Sequence, residues 1–318
     1  MATRQKFDHI EDKIRELKEK HKAVILVHNY QLPEVQDIAD YRGDSLELSR
    51  QAANTDAEVI VFCGVHFMAE TASILSPQKK VIMPDINAGC PMANMITAGD
   101  LKKLKEKYPR AVAVGYVNTP AEVKAELDVC CTSTNAVAVV NAIIKDAATG
   151  GKDFGGRDEI IFVPDKYLGD YVARQTGKKL ISWSGFCPIH VKITPEDIKR
   201  EKKFHPKAKV VVHPECTPEV IALADAVLST SQICKFSRET KAKEVIIGTE
   251  VGLIYRLKED NPDKEFYPAT EAAVCPNMKR ATQEKVLWAL EGLKEEVRVS
   301  DDIRRRAVKA INKMLEIV

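Results

Sequence analysis

Three of the eight cysteines close similar segments of the chain. Cys90 ends KKVIMPDINAGC, Cys187 ends KKLISWSGFC and Cys275 ends EFYPATEAAVC. Thiolates bind soft metals, but the sequence lacks the Cys-x-x-Cys pairs that structural zinc sites usually use. Three thiolates would hold a four-iron cluster with one iron left open to water or substrate. An open iron can act as a Lewis acid, so we predict dehydration or condensation of an oxygen-rich substrate.

A second pattern combines an aromatic ring with a hydroxyl 17 residues later in the chain. It occurs three times, as His28 with Ser45, Tyr116 with Ser133, and His213 with Thr230. Hydroxyls and helix N-termini can bind carboxylates or phosphate, and histidines can add charge or hydrogen bonds. Tyr30, Tyr116 and Glu215 lie on or just beyond predicted strand ends, which makes them candidates for proton transfer. His190, three residues after Cys187, is a candidate to donate to a ligand.

Both patterns belong to three copies of one unit, whose first parts lie at 23–45, 111–133 and 209–230. Each copy has a short β-branched run typical of a buried parallel strand, a polar tip, and a Pro and a Glu that open a helix. A second strand, a second helical pattern and a third strand that ends in the cysteine follow, and a basic amphipathic helix precedes each copy. This alternation predicts right-handed βαβ crossovers.

The predicted fold is α/β, with three pseudo-symmetric αβα domains, each with a small parallel sheet, around a central cavity. The domains are placed at 1–96, 97–193 and 194–290, and the segment 291–318 is predicted to form a C-terminal closing helix. Ligands gather at the carboxyl ends of parallel strands. If the units pack around a pseudo-threefold axis with those ends inward, the three cysteines and the three ring-hydroxyl pairs converge in one cavity.

Simpler interpretations stay open for each feature. A single cysteine at a strand end is more often a small core residue than a ligand. The three rings could cap helices or pack in the core, and the three hydroxyls could be ordinary helix N-caps or loop residues. We assign the other five cysteines to packing or to the cavity wall: Cys63, Cys130, Cys131, Cys216 and Cys234. Of these, Cys130 and Cys131 are the first to reconsider.

Composition limits the class of protein. Lys and Arg (48) nearly balance Asp and Glu (46), so no overall field recruits nucleic acid or an anionic membrane. The charged N-terminus lacks the apolar core of a signal peptide, and no stretch approaches 18 apolar residues. We therefore expect a cytoplasmic protein whose partners are small molecules, with no nucleic-acid or membrane partner.

The ordered motifs of the chain resemble those of the quinolinate synthase family. They are VHNYQ (27–31), MPDINAGCPMA (83–93), GYVN (115–118), GFCPIH (185–190), VHPEC (212–216), STSQI (229–233) and CPNMK (275–279). The resemblance covers nearly the whole chain. Each motif is weak by itself, and the specificity comes from their common order and spacing.

This resemblance implies a triangular fold of three αβα domains and one four-iron, four-sulfur (4Fe-4S) cluster. It implies that iminoaspartate and dihydroxyacetone phosphate condense, with loss of water and phosphate, to quinolinate for NAD biosynthesis. Cys90, Cys187 and Cys275 match the cluster ligands of the family. The positions that match its substrate-contacting set are His28, Ser45, Tyr116, Asn118, Ser133, His213, Glu215 and Thr230.

Two competing functions stay open, another hydro-lyase with an open-iron cluster and a non-catalytic protein that binds or senses a small anion. A nucleotide-dependent enzyme is disfavoured because no glycine-rich phosphate loop follows any of the first strands. It is also open whether a partner enzyme delivers the unstable imine.

Overall fold

The three copies predicted from the sequence fold into the same order of elements. The computed structural model describes residues 2–317, with side chains from Ile10 onward. Each copy consists of four helices that alternate with four strands. The first copy consists of α1 (Ala2–His21), β1 (Ala23–His28), α2 (Pro33–Asp37), β2 (Tyr41–Gly43), α3 (Ser45–Asn54), β3 (Val59–Cys63), α4 (His66–Leu75) and β4 (Lys80–Ile82).

The other two copies repeat this order of elements. The second copy consists of α5 (Ala98–Lys107), β5 (Ala111–Tyr116), α6 (Ala121–Lys124), β6 (Val129–Cys131), α7 (Ala136–Ala148), β7 (Glu159–Val163), α8 (Lys166–Thr176) and β8 (Ile181–Ser182). The third consists of α9 (Pro195–Phe204), β9 (Lys209–Val212), α10 (Pro218–Ile221), β10 (Ala226–Val227), α11 (Thr230–Glu239), β11 (Glu244–Gly248), α12 (Leu253–Asp260) and β12 (Glu265–Pro268). Two further helices are α13 (Gln283–Gly292) and α14 (Asp301–Glu316).

The strands form three parallel four-stranded sheets, with the orders β2-β1-β3-β4, β6-β5-β7-β8 and β10-β9-β11-β12. Their central strands are buried along nearly their whole length, as expected of parallel sheets covered on both faces. The predicted α/β class with small parallel sheets flanked by helices is confirmed. The sequence patterns did not predict one strand of each sheet, because that strand has only two or three residues. These strands are β2, β6 and β10.

An aspartate at an equivalent position ties the first two strands of every sheet. Asp40, Asp128 and Asp225 each accept a hydrogen bond from a backbone N–H of the first strand at 2.8 Å. Each also donates its own backbone N–H to the carbonyl of that same strand residue. The three aspartates occupy the same place in the aligned copies, so the sequence contained this signal.

Two compact units share the chain. One comprises the residues up to Cys90 together with Cys275–Ser300, and the other comprises Pro91–Val274 and the residues from Asp301 onward. The first unit contains the first sheet and α13, which packs against α1. The second contains the other two sheets and α14, which packs against α6 and β6. The boundaries of the three predicted domains stay a prediction.

The core of the first unit lies between its sheet and the helices α1 and α13. Ile25 and Val61 of the strands contact the apolar sides of these helices, which supply Ile14 and Leu290. Burial of each such side chain contributes about 1.5–3 kcal/mol before chain entropy is counted. The amphipathic helix that precedes the first strand therefore covers one face of the sheet.

The cysteines do not end the third strands, contrary to the sequence prediction. Strands β4, β8 and β12 end at Ile82, Ser182 and Pro268, several residues before the cysteines. Pro84, Gly185 and Pro268 lie at or just after the three strand ends, and Pro and Gly interrupt the regular pairing of a strand. Each cysteine therefore lies on a loop beyond the carboxyl end of its sheet. Among the described residues no helix is both long and apolar enough to span a membrane.

Candidate functional site

Solvent exposure separates the eight cysteines into two groups. None forms a disulfide, and five are buried, namely Cys63, Cys130, Cys131, Cys216 and Cys234. The three partly exposed ones are Cys90, Cys187 and Cys275, the predicted ligands. Burial raises the pKa of Cys130 to about 12, and burial also raises the pKa values of Cys63 and Cys216. A thiol with such a pKa stays protonated and is a poor ligand.

The three loops that carry the exposed cysteines have the same local structure. Each cysteine is followed by proline, a 3₁₀ turn begins three residues after it, and a threonine seven residues after it caps the next helix. The capping threonines are Thr97, Thr194 and Thr282. The carbonyl two residues before each cysteine accepts a backbone N–H, from His66, Lys166 or Val251. The copies thus hold their cysteines in equivalent frames.

In the first unit, the loop after β1 contacts the loop that carries Cys275. The backbone N–H of Tyr30 donates to Nδ1 of His28 at 3.2 Å, so Nε2 carries the proton of the neutral ring. The two rings meet edge to face with centroids 4.7 Å apart. The Nζ of Lys279 donates to the carbonyl of Tyr30. The residues next to Cys275 therefore help to hold the His28–Tyr30 turn.

Asp85 joins the two cysteine loops of the first unit. It lies five residues before Cys90, and its Oδ2 is 2.7 Å from Nζ of Lys285 and 3.2 Å from Nε of Arg280. Its side chain is only 8% exposed. Burial raises the pKa of Asp85, but hydrogen bonds from Lys285, the Asn87 N–H and Arg280 outweigh this effect and lower it. The ionised carboxylate is thus a stable anchor for both loops.

The second unit encloses a chain of hydrogen-bonding groups at the ends of two of its sheets. Tyr116 Oη donates to Oε1 of Glu215 at 2.6 Å. The other carboxylate oxygen of Glu215 lies 2.9 Å from Nδ1 of His190. Nε2 of His190 lies 2.9 Å from Oγ1 of Thr249. All four residues are buried, so the interactions act in a low dielectric environment.

His213 adds a second imidazole to this network. The backbone N–H of Glu215 donates to Nδ1 of His213 at 3.3 Å, and Nε2 lies 3.2 Å from Oγ of Ser133. This is the turn seen at His28, so the neutral ring carries its proton on Nε2 and donates to Ser133. The His190 and His213 rings stack with centroids 4.6 Å apart. The ring and hydroxyl from two copies therefore meet at one place.

Glu215 is held as a carboxylate. Burial by itself raises its pKa, but electrostatic interactions with His190 and His213 and hydrogen bonds from His190 and Tyr116 outweigh burial and lower the pKa to about 2. The proton shared with Tyr116 therefore resides on the phenol. Burial and the charge of Glu215 act in the opposite direction on Asp165, whose pKa they raise. Their surroundings thus shift the pKa values of these two carboxyls in opposite directions.

Asp165 supports the cysteine loop of the second unit. Its side chain caps α8 by accepting from the N–H groups of Tyr167 and Leu168, and it accepts the N–H of Cys187 at 3.2 Å. Sequence reasoning missed Asp165, Thr249 and Asp85. For two of them a signal existed, because Asp85 and Asp165 follow proline at the carboxyl side of a strand.

None of the three predicted hydroxyls is the N-cap of the helix that follows it. Ser45 and Thr230 are the first residues of α3 and α11, and the caps are Asp44 and Ser229. The helix after Ser133 is preceded by Asn135. The interpretation of the three hydroxyls as N-caps is therefore wrong. Thr134 Oγ1 donates to Ser229 Oγ at 2.9 Å, which joins the hydroxyl regions of two copies within the second unit.

Asn118 has an enclosed amide oxygen. In the part of the chain that the structure describes, its Oδ1 has no hydrogen-bond partner. A buried acceptor without a partner costs about 1–3 kcal/mol. This atom is therefore suited to a donor from a bound molecule.

A group of donor atoms close to one another marks this region of the second unit. The sulfur of Cys187, a ring nitrogen of His190 and a carboxylate oxygen of Glu215 lie within 4.8 Å of one another. Thiolate, imidazole and carboxylate are all metal ligands. This group could therefore hold a metal, and two of its three members belong to the hydrogen-bonded network described above.

Comparison with known proteins agrees with the geometry. The family model described as quinolinate synthetase A protein matches residues 12–316. Proteins named quinolinate synthase are 56% identical in Dehalococcoides mccartyi and 53% identical in Thermodesulfovibrio yellowstonii, over 97% and 96% of this chain and 98% of each relative. One from Methanoregula boonei is 50% identical over 97% of this chain and 98% of its own length. The chain is therefore an enzyme and belongs to the quinolinate synthetase A protein family.

Proposed function

We propose that this enzyme condenses iminoaspartate with dihydroxyacetone phosphate to quinolinate, with loss of water and phosphate, as a step of NAD biosynthesis. We further propose that Cys90, Cys187 and Cys275 hold one 4Fe-4S cluster. The observation that carries the proposal is the buried network of Tyr116 and Glu215 beside Cys187. It combines a proton donor and a proton acceptor with a thiol that can bind iron.

The chemistry of the cysteines fits a cluster with three protein ligands. The three proposed ligands are partly exposed on loops of the same structure, whereas the other five thiols are buried. When bound, such a cluster would supply an open iron that acts as a Lewis acid toward a hydroxyl, carboxylate or amine. The network does not require any of the five buried thiols.

A single zinc ion on Cys187, His190 and Glu215 is a weaker interpretation of the same atoms. Both carboxylate oxygens of Glu215 already have close partners, Tyr116 and His190. His190 lies between Glu215 and Thr249 at 2.9 Å from each. An ion would have to replace these contacts. We therefore assign His190 and Glu215 to the protein's own network and only Cys187 to the metal.

Tyr116 and Glu215 are proposed to move protons during the condensation. Its low pKa keeps Glu215 ionised and makes it a weak base, so it would accept a proton only from a substrate group that binding has made acidic. Tyr116 Oη holds the proton of the pair and would deliver it to a substrate oxygen that leaves. Tyr30 is the third candidate acid-base group, two residues beyond the end of β1 in the first unit.

The remaining predicted residues are proposed to bind the two anionic substrates. Ser45 and Thr230 are the first residues of α3 and α11, and the positive N-terminal end of a helix favours carboxylate or phosphate. His28 and His213 are oriented so that their Nε2–H groups can donate. The amide oxygen of Asn118 can accept a donor from the substrate. The proposed substrate-binding set is His28, Ser45, Tyr116, Asn118, Ser133, His190, His213, Glu215 and Thr230.

The proposal is tested by purifying the protein without oxygen and measuring iron, acid-labile sulfide and zinc per chain. About four irons with matching sulfide support the cluster. The same preparation is then supplied with iminoaspartate and dihydroxyacetone phosphate, and quinolinate and inorganic phosphate are measured. Zinc without sulfide, or an intact cluster without quinolinate, contradicts the respective part of the proposal.

A further inference from the structure

Lys124 in the second unit is a buried lysine to which the proposed chemistry gives no role. Its side chain ranks among the largest fully buried ones of the described residues, with 0% exposure. Lysine is rarely buried completely, because an ammonium group loses much hydration free energy in the interior. We therefore infer that the Nζ of Lys124 makes an interaction that offsets the loss of hydration.

The Nζ of Lys124 holds the loop between β5 and α6. It donates to the carbonyl of Thr119. Within this loop the N–H of Thr119 donates to the carbonyl of Val117 at 2.8 Å, and its Oγ1 donates to the carbonyl of Tyr116 at 3.2 Å. Lys124 thus ties α6 to the loop through the Thr119 carbonyl, and the same loop carries Asn118.

The first copy contains a matched arrangement with a neutral residue. Gln36 occupies the position of Lys124 in the aligned copies, on the first helix after the first strand. Its Nε2 donates to the carbonyls of Gln31 at 2.9 Å and Asn29 at 3.4 Å. Gln31 is in turn the position that corresponds to Thr119. The same loop carbonyl therefore receives a side-chain donor in both copies, and in one of them the donor has no charge.

We propose that Lys124 is a positioning residue that sets Tyr116 and Asn118 by donating a hydrogen bond to the loop, and that its positive charge is dispensable. Tyr116 must keep its Oη 2.6 Å from Glu215, so a loose loop would disturb the proton-transfer pair. The third copy has Ile221 at the equivalent position, and there the loop is held by Cys216 Sγ, 3.4 Å from the carbonyl of Gly248. The kinetic consequence rests on the proposed function, and the structural consequence does not.

The test compares Lys124→Gln, Lys124→Met and Lys145→Met in protein purified without oxygen. Lys145 is an exposed lysine of α7 in the same unit and serves as the control. Backbone hydrogen exchange over residues 116–119 reports on the loop without reference to turnover. We expect the Met variant at position 124 to exchange about 10-fold faster there, and the Gln variant and the control to match the wild type.

The kinetic part measures kcat and KM for quinolinate formation. In Lys124→Met we expect kcat to fall by about 10- to 100-fold and by more than KM rises, and in Lys124→Gln we expect it to stay within about 3-fold of wild type. Wild-type exchange and kcat in the Met variant would overturn the proposal. So would a Gln variant as impaired as the Met variant, because that result would make the charge essential. If the Met variant does not fold, the Gln variant decides alone. If the wild type makes no quinolinate, the proposed function fails and the exchange data still decide the role of Lys124.

Discussion

The two units differ in the contacts that charged residues make near the ends of their strands. In the first unit, cations fasten the loops, since Lys279 binds the Tyr30 carbonyl and Lys285 binds Asp85. In the second unit, an ionised Glu215 is enclosed by a phenol and two imidazoles. One backbone frame, repeated along the chain, therefore supports loop-anchoring cations in one unit and a buried carboxylate bonded to a phenol in the other.

Single residues at matched positions account for this difference. The first copy has Tyr30 two residues after its ring, the second has Asn118 and the third has Glu215. The third copy thus supplies the carboxylate, and the second supplies the phenol that donates to it. Divergence of the repeat thus brings a phenol and a carboxylate together, which identical copies could not provide.

The largest effect is expected for Cys187→Ala. Loss of one of three proposed ligands should lower iron from about four per chain to less than about one and abolish turnover. Iron and sulfide analysis of protein purified without oxygen measures this. Cys234→Ala, at a buried thiol, is the control and should keep its iron. Undiminished iron in Cys187→Ala would remove Cys187 from the ligand set.

Replacement of Glu215 by Gln should lower kcat by about 10²- to 10⁴-fold, because the amide cannot accept a proton. Iron content should not change, which separates this variant from Cys187→Ala. The control is Glu219→Gln, at an exposed position of the same copy. Full turnover in Glu215→Gln with intact iron would remove Glu215 from the mechanism.

The lowered pKa of Glu215 also predicts the pH dependence. Its carboxylate contributes stability above its ordinary pKa of 4.5 and loses that contribution only as pH falls toward about 2. The difference in stability between wild type and Glu215→Gln should therefore be constant above pH 4.5 and shrink below it. Urea unfolding at a series of pH values measures it. A difference that disappears already at pH 4.5 would contradict the lowered pKa.

Tyr116→Phe should have a smaller effect, about 10- to 100-fold on kcat, since the carboxylate stays in place. The double variant with Glu215→Gln should be little worse than Glu215→Gln alone, because the two groups act as a pair. Tyr41→Phe, at an exposed tyrosine, should match the wild type. Additive losses in the double variant would show that the two residues act independently.

The smallest effect is expected in the first unit, for Asp85→Asn. Loss of the charged hydrogen bonds to Lys285 and Arg280 should cost about 1–3 kcal/mol of unfolding free energy at neutral pH. The pKa of Asp85 is lowered, so this stability is present above its ordinary value of 3.8 and is lost as pH falls through the lower folded-state value. Denaturant unfolding at pH 7 and in acid measures both. The control Asp12→Asn removes an exposed ion pair and should have little effect, and an equal loss in both variants would contradict the anchoring role.

Much of the fold was predictable because it depends on local patterns that recur. The β-branched runs predicted β1, β5 and β9, and Pro with Glu predicted the helices that follow. The strands β2, β6 and β10 were missed because two or three residues carry no periodicity. The end of β4 was misplaced because the chain continues with apolar Met83 before the loop starts.

The sequence by itself determined the repeat, the sheet class and which residue types stand at each strand end, since these follow from spacing and hydrophobic pattern along the chain. Only the tertiary structure decided that Glu215 receives a hydrogen bond from Tyr116, 99 residues away, and that His190 lies beside both Glu215 and Thr249. It also decided which cysteines are buried and so protonated. The physical reason is that pKa values and hydrogen bonds depend on neighbours in space, and sequence distance does not specify those neighbours.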